Sequence, residues 1–221
     1  MLHEMDYMLV WSGRRWDRRA LPSEPWHGAR LLSDHIQPPT EEQLEAAAEA
    51  MRPRPGVLAV LAPAVQEYTW CSFLGDLCYI MDRAEAEGLE ATHMARAWRL
   101  SPWGGRACGS EGWLWCSLSR GDWLSTLHHE VWHTVRPLVR TADPAAETFL
   151  EAYSERVRAE NAAAEPGAQR GSEWLSRYDE PVAWAYEQWI TGGEPPHGVE
   201  PCWRMRRVFG RVAAGRYANA A

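Results

Sequence analysis

Two histidines and a glutamate in the middle of the chain have the spacing of a metal site. The segment Leu127–His133 reads Leu-His-His-Glu-Val-Trp-His, so that His129 and His133 are four positions apart with Glu130 between them. On a helix these two positions differ by about 40° of rotation, and both imidazoles project from one face. Two such rings suit two corners of a tetrahedral zinc site, and Glu130 lies beside the ion, where it could take a proton from an activated water. The alternative is a pair of ordinary histidines on a helix, as we interpret the neighbouring His128.

The residues around this motif predict that it lies on a helix. Asp122 is a suitable N-cap residue. An apolar stripe next to the ligand face is formed by Trp123, Leu127 and Val131. We expect the helix to end at Pro137, because proline cannot donate the backbone hydrogen bond that a helix interior requires.

A catalytic zinc site usually has three protein ligands and one open position, so a third ligand is expected downstream. A further helix is predicted from about residue 179, and the carboxylate of Glu180 in its first turn lies where the helix dipole favours negative charge. Ala183, one turn later, is small enough to let this helix approach the histidine helix closely. A helix-capping role is the alternative for Glu180, and the other candidate ligands are Asp179, Glu173, Glu187 and Glu147.

The second ring nitrogens of the two histidines also need partners. Both rings must be neutral to bind a metal ion, and a neutral imidazole donates from the nitrogen that does not bind the metal. The candidate acceptors are Asp179 and Glu187, one at the start and one near the middle of the downstream helix.

The two motifs together resemble the gluzincin class of zinc metallopeptidases. The elements that carry the resemblance are His129-Glu130-x-x-His133 and Glu180-x-x-Ala183, and the second is similar to that of the lethal-factor-like and small minimal gluzincins. The resemblance covers roughly residues 113–190 and is one of superfamily pattern. It implies Glu180 as third ligand, zinc as cofactor, a peptide or protein substrate, and an α+β zincin-like fold. In that fold a small mixed sheet carries an active-site helix and several packed helices.

Several positions depart from related patterns. Thermolysin-like members have Asn before the ligand Glu and an acidic residue after the Ala, where this chain has Asp179 and Trp184. The gap between the two motifs is longer than in those members and contains an entire predicted helix, residues 144–165. A metzincin would have Gly and His where this chain has Arg136 and Val139, which excludes that class.

The zincin-like fold also implies an edge strand just before the active-site helix. The segment Trp113–Leu118 is in that place, and an extended substrate would pair with it through backbone hydrogen bonds. Trp113 and Trp115 would then be substrate-binding residues on one face of the strand. The alternative is that both indoles belong to the core.

Peptide hydrolysis needs a hydrogen-bond donor for the oxyanion in addition to the metal ion. Tyr178 is the favoured catalytic donor, because it precedes Glu180 by two residues. An ordinary packed aromatic is the alternative for Tyr178. Other candidate donors are Tyr153, Tyr186 and His197.

The 221 residues suggest one globular domain with at most a small appendage. Residues 1–55 contain a predicted strand at 7–16, a Pro-rich arm at 21–40 and a helix from Thr40 to about Met51, and they form the possible appendage. Residues 56–221 form the predicted metallopeptidase domain. Further predicted strands are at 57–61, 91–100 and 113–118, and further predicted helices are at 66–87, 144–165, 179–190 and 202–214.

Composition limits the partners. The formal net charge of −7 argues against nucleic-acid binding driven by net charge. No apolar run approaches the roughly 20 residues that span a bilayer, and acidic residues stand where a signal peptide needs basic ones, so we expect a cytoplasmic protein without a membrane partner. The five cysteines form no Cys-x-x-Cys pair; Cys71 and Cys78 are interpreted as buried thiols, with a Cys108–Cys116 bridge as the alternative. The alternative to a peptidase is a catalytically inactive or latent zincin-like domain with a binding or structural role.

Overall fold

A computed structural model describes residues 7–20, 30–31, 37–62, 65–66, 105–108, 112–118, 122–165, 168–169 and 179–218. Within these residues the chain forms a five-stranded mixed sheet, a two-stranded sheet and five α-helices. The predicted fold class, α+β with a small mixed sheet and several packed helices, is therefore confirmed. None of the helices in the described part of the chain has the length and apolar composition that a bilayer-spanning segment requires.

The main sheet has the strand order β2-β1-β4-β7-β6. Its strands are β1 (Tyr7–Trp11), β2 (Trp16–Ala20), β4 (Leu58–Ala62), β6 (Gly105–Cys108) and β7 (Trp113–Ser117). Only the β4–β7 pair is parallel, and the other three pairs are antiparallel. A short second sheet pairs β3 (Arg30–Leu31) with β5 (Val65–Gln66). All residues of β1 and β4 are buried, which agrees with their uninterrupted apolar sequences.

The predicted strand at 7–16 is instead a hairpin. The chain turns between β1 and β2, where Ser12 N donates to Arg15 O over 3.0 Å and Gly13 adopts a φ of 85°. Glycine suits this turn because a residue with a side chain rarely adopts a positive φ. β1 pairs with β4, so the first segment of the chain contributes strands to the main sheet, while the domain boundary at residue 55 stays a prediction.

The expectation that the segment Trp113–Leu118 forms an edge strand is wrong. β7 lies between β4 and β6, and its backbone is paired on both sides. Among the described strands the edge position belongs to β6, whose short sequence Gly-Arg-Ala-Cys has little strand propensity. Trp115 is fully buried in the core, as the alternative interpretation held, and its substrate-binding role has no exposed surface to support it. The side chain of Trp113 lies outside the described residues.

The five helices are α1 (Glu41–Ala50), α2 (Trp123–Ala142), α3 (Pro144–Ala163), α4 (Glu180–Thr191) and α5 (Trp203–Ala213). The helices predicted at 144–165, 179–190 and 202–214 agree with α3, α4 and α5 to within two residues. Thr40 caps α1 through the predicted capping box with Gln43. Gly192 ends α4 with a φ of 77°, a conformation that glycine adopts without strain. The predicted helix at 66–87 and strand at 91–100 lie outside the described residues.

The prediction that α2 ends at Pro137 is also wrong, because this helix continues to Ala142. Proline inside a helix costs about 3 kcal/mol. Burial of the next turn offsets this cost, since Val139 is fully buried and Leu138 nearly so. Asp122 occupies the N-cap position, but its side chain makes no capping hydrogen bond.

Helix α2 is the central helix of the described structure. It packs against β6 and β7 on one side and against α1, α3 and α4 on others. Leu127, Val131 and Val135 are fully buried on its apolar face. Cys116 on β7 is a free buried thiol that donates to Trp123 O over 3.1 Å, so the Cys108–Cys116 bridge is wrong.

Candidate metal centre

The two halves of the predicted motif meet where α2 faces α4. His129 Nε2 lies 3.2 Å from Glu180 Oε2. His133 Nε2 lies 3.1 Å from His129 Nε2 and 3.6 Å from Glu180 Oε1. Each of these three residues offers one ligand atom, and the three atoms lie within 4.8 Å of one another. The fully buried Ala183 lies between Glu180 and Glu187 on α4, where its small side chain permits the close approach of the two helices.

The outer nitrogen of each imidazole has its own carboxylate. His129 Nδ1 lies 3.1 Å from Glu187 Oε2, and His133 Nδ1 lies 2.7 Å from Asp179 Oδ2. An ionised carboxylate only accepts hydrogen bonds, so Nδ1 donates in both rings. In a neutral ring the other nitrogen, Nε2, then carries a lone pair. Both candidate acceptors from the sequence are therefore used, one for each histidine.

This arrangement directs acceptor atoms at one another. Two Nε2 lone pairs and the Glu180 carboxylate converge on one point, and such a group is stable only with positive charge among its members. Adjacent ligand atoms of a tetrahedral zinc ion lie about 3.3–3.4 Å apart at bond lengths of about 2.0–2.1 Å. The two Nε2 atoms lie 3.1 Å apart, and each lies 3.2 or 3.6 Å from an oxygen of the Glu180 carboxylate, so the observed separations lie near this value. The donor set and its spacing thus fit zinc, for which two imidazoles and a carboxylate are customary ligands.

In the metal-free chain a proton supplies the positive charge. Burial alone would lower the pKa of His129, but its hydrogen bonds with Glu180 and Glu187 raise that pKa to about 10. Burial alone would raise the pKa of Glu180. The hydrogen bond with His129 and the charge of His133 nevertheless lower that pKa. A metal ion must displace the proton from His129, so metal binding competes with protonation.

Ser125 is a contributor that the sequence analysis missed. Its hydroxyl donates to Glu187 Oε1 over 2.6 Å, while the other carboxylate oxygen of Glu187 accepts from His129. Ser125 precedes His129 by four residues, as His129 precedes His133. The repeated spacing places all three side chains on one face of α2, and this polar row was the available signal.

Glu130 lies next to the three ligand residues without being one of them. It is only 7% exposed. Burial raises the pKa of its carboxyl group, and this outweighs the opposing charges of His129 and His133. Glu180 and Glu187 add to the rise. A carboxylate with a raised pKa is a stronger base than an exposed one and suits proton transfer near neutral pH.

The other candidate ligands have different positions. Glu147 is buried on α3, where it accepts from Arg136 Nη2 over 3.0 Å and from Arg140 Nε over 3.4 Å. Asp179 and Glu187 bind the outer histidine nitrogens. Glu173 lies outside the described residues.

Among the candidate oxyanion donors that the structure describes, Tyr153, Tyr186 and His197 make contacts with residues outside the ligand group. Tyr178 lies outside the described residues, so its role stays a prediction. The Tyr153 hydroxyl donates to the backbone oxygen of Val199 over 3.0 Å. Tyr186 is fully buried, with its ring centroid 5.1 Å from that of Trp132. His197 packs edge-on against Trp184 at 6.3 Å.

His128 behaves as the expected bystander. Its ring faces Tyr186, with centroids 6.5 Å apart and planes inclined by 69°. Burial lowers the pKa of His128 to about 4, against the raising effect of the Glu187 charge. The ring is therefore neutral at physiological pH and does not belong to the ligand group.

Comparison of the chain with protein-family models, with curated proteins and with solved structures finds no significant match in any of the three. The resemblance to gluzincins therefore stays a hypothesis that depends on the two motifs and on the site they form.

Proposed function

We propose that this chain is a gluzincin-like zinc metallopeptidase that hydrolyses peptide bonds with Glu130 as general base. The observation that carries the proposal is the convergence of His129 Nε2, His133 Nε2 and the Glu180 carboxylate, with both outer nitrogens already engaged by carboxylates. Two ordinary helix histidines would have no reason to share this orientation.

His129, His133 and Glu180 are the residues that would hold zinc. When bound, zinc would supply a Lewis acid that polarises a carbonyl and lowers the pKa of a water molecule to about 7. Three protein ligands leave the fourth tetrahedral position for the reaction.

Glu130 supplies the proton transfers. It follows His129 directly, and a step of about 100° around α2 puts it beside the ligand atoms. Its carboxylate accepts a proton from the attacking water and returns that proton to the leaving amine. The burial that raises its pKa favours both steps, because the group must be a carboxylate first and a carboxylic acid afterwards.

Zinc analysis of the purified chain, combined with Glu130→Gln, tests the proposal. We expect about one zinc ion per chain by plasma mass spectrometry, and cleavage of a mixed peptide library followed by mass spectrometry. Glu130→Gln is expected to keep the zinc and lose the cleavage. His128→Asn, which changes the neighbouring histidine outside the ligand group, is the matched control and should retain both.

Two results contradict the proposal in different ways. Absence of zinc from the wild-type chain, even after incubation with zinc chloride, removes the metal site. Bound zinc without cleavage, or cleavage that persists in Glu130→Gln, removes the peptidase and favours the inactive or latent zincin-like domain.

A further inference from the structure

Four aromatic rings pack together beside the candidate metal centre. Trp132 belongs to α2, and Tyr186 and Trp189 belong to α4, the two helices that carry the three candidate ligands. The fourth ring is that of Phe209 on α5, which is fully buried. Three helices that are separated in the sequence therefore meet in this aromatic cluster.

Phe209 contacts rings from both ligand-bearing helices. Its centroid lies 5.3 Å from that of Trp132, with the two planes inclined by 85°. It lies 5.5 Å from the centroid of Tyr186, with an inclination of 74°, and 5.7 Å from that of Trp189. The contacts with Trp132 and Tyr186 have the edge-to-face geometry that aromatic pairs prefer, so they depend on orientation as well as on burial.

The two rings that Phe209 meets edge-on are next to residues of the metal centre. Trp132 immediately precedes His133 on α2. Tyr186 immediately precedes Glu187 on α4, and the centroids of the two rings lie 5.1 Å apart. Because each helix moves as a stiff unit, a shift or rotation of α2 relative to α4 at these rings also displaces the ligand atoms from one another.

We infer that Phe209 is a positioning residue: by packing against Trp132 and Tyr186 together, it holds α2 and α4 in the relative position at which the metal ligands converge. The inference rests on the proposed metal site. Helix α5 lies against α3, and the Phe209 ring extends this packing to the two ligand-bearing helices. Ligand atoms 3.1–3.6 Å apart tolerate little displacement, because bond lengths to zinc lie in a narrow range.

Val208 offers an internal control. It is adjacent to Phe209 on α5 and is also buried, but a step of about 100° around the helix directs it to another part of the core. Phe209→Leu removes the ring and keeps a large apolar side chain, whereas Val208→Ala removes the branched methyl groups. Both substitutions leave a cavity and should destabilise the fold. We expect only Phe209→Leu to change the metal site.

The experiment measures zinc affinity by competition with a chromophoric chelator. We expect Phe209→Leu to weaken zinc binding roughly 10-fold, within the range of about 2- to 30-fold for changes in a packed network that touch no ligand. Val208→Ala should leave the affinity unchanged. Cobalt(II), whose visible absorption depends on its coordination geometry, is a second probe. Its bands should shift or weaken in Phe209→Leu and match those of the wild-type chain in Val208→Ala.

Urea denaturation with and without zinc separates positioning from general destabilisation. A contact that positions the ligands stabilises the zinc-bound chain more than the metal-free chain, because the two effects are linked. Phe209→Leu should therefore lower the free energy of unfolding more with zinc present than without it, whereas Val208→Ala should lower both equally.

Unchanged zinc affinity in Phe209→Leu, or equal losses of affinity in the two variants, overturns the inference. If Phe209→Leu does not fold, Phe209→Met, which is closer to phenylalanine in volume, undergoes the same measurements and decides between these outcomes. Failure of the wild-type chain to bind zinc is a different result, which contradicts the proposed function itself.

Discussion

The two histidines of the candidate site are oriented by supports of different construction. His129 is held by Glu187, which in turn accepts from the Ser125 hydroxyl one turn earlier on the same helix as His129. His133 is held by Asp179, whose pKa is lowered, against the effect of burial, by His133 and by the charge of the buried Arg136, which pairs with Glu147. The first support is local and contains a neutral donor. The second depends on charges from three elements, so we expect loss of the outer carboxylate to weaken zinc binding more at His133 than at His129.

Removal of Glu180, the proposed metal ligand that contacts both histidines, should have the largest effect on zinc binding. Glu180 lies within 3.6 Å of both Nε2 atoms. We expect Glu180→Ala to leave no stoichiometric zinc after dialysis and to abolish any zinc-dependent cleavage. Glu165→Ala, at an exposed carboxylate near the end of α3, is the control. Retention of zinc by Glu180→Ala would show that another carboxylate completes the site.

The buried ion pair should dominate the stability difference between the two supports. Glu147→Leu removes the carboxylate that pairs with the buried Arg136, and loss of one partner of a buried pair costs about 3–5 kcal/mol. Arg140→Met removes an exposed partner of the same carboxylate and should cost less than about 1 kcal/mol. Urea denaturation of the metal-free chains measures both. Equal costs would mean that the Arg136–Glu147 pair contributes no more than a surface pair.

In the metal-free chain, the stabilising contributions of His129 and Asp179 should be lost at opposite ends of the pH scale. The pKa of His129 is raised from 6.5 to about 10, so its contribution to stability is complete below pH 6.5 and is lost as pH rises through 10. The pKa of Asp179 is lowered from 3.8 to about 2, so its contribution is complete above pH 3.8 and is lost as pH falls through 2.

Urea denaturation at a series of pH values tests this contrast. We expect the metal-free chain to lose a few kcal/mol between pH 6.5 and 10. Glu187→Gln should reduce the alkaline loss, because it removes one of the two carboxylates that raise the pKa of His129. A stability of the metal-free wild-type chain that does not change over this range would contradict the protonated His129.

The two outer carboxylates should differ in their effect on zinc affinity. Asp179→Asn and Glu187→Gln each remove an ionised acceptor from a histidine Nδ1, which usually costs roughly 10- to 100-fold in affinity. We expect the larger loss for Asp179→Asn, because its hydrogen bond of 2.7 Å is shorter than the 3.1 Å bond of Glu187. Competition with a chromophoric chelator gives both values, and the reverse order would show that the charged support is the weaker one.

The sequence alone indicated the parts of this site that depend on local spacing. Helical periodicity and the residues at helix ends predicted the histidine pair and the helices, whereas Glu180 was the favoured ligand among several candidate carboxylates and was implied by the gluzincin resemblance. The predicted helix end at Pro137 was wrong, because burial of Leu138 and Val139 outweighs the cost of a proline inside the helix. The edge strand was wrong because strand order depends on pairing between distant segments, which a single strand sequence does not encode.

The supports of the two histidines show the same limit. Asp179 and Glu187 were candidate acceptors, but their assignment to particular rings depends on how α2 and α4 face each other. Glu147 was a candidate ligand, and only the packing of α3 shows that it pairs with Arg136 instead. Charge and residue type thus predicted the histidines and carboxylates that take part but not Ser125, and tertiary packing determines the partners of all these groups.

The smallest expected effect is at Ser125. Ser125→Ala removes one neutral donor from Glu187, and loss of such a hydrogen bond costs about 0.5–1.5 kcal/mol, or roughly 2- to 13-fold in zinc affinity. The loss should be small because Glu187 keeps its bond with His129, and because alanine favours the helix more than serine does. Thr141→Ala, which removes an exposed hydroxyl that bonds to the backbone of α2, is the control and should leave zinc affinity unchanged. If Ser125→Ala weakens zinc binding as much as Asp179→Asn, the local support is as important as the charged one, and burial of charge is not what distinguishes the two histidines.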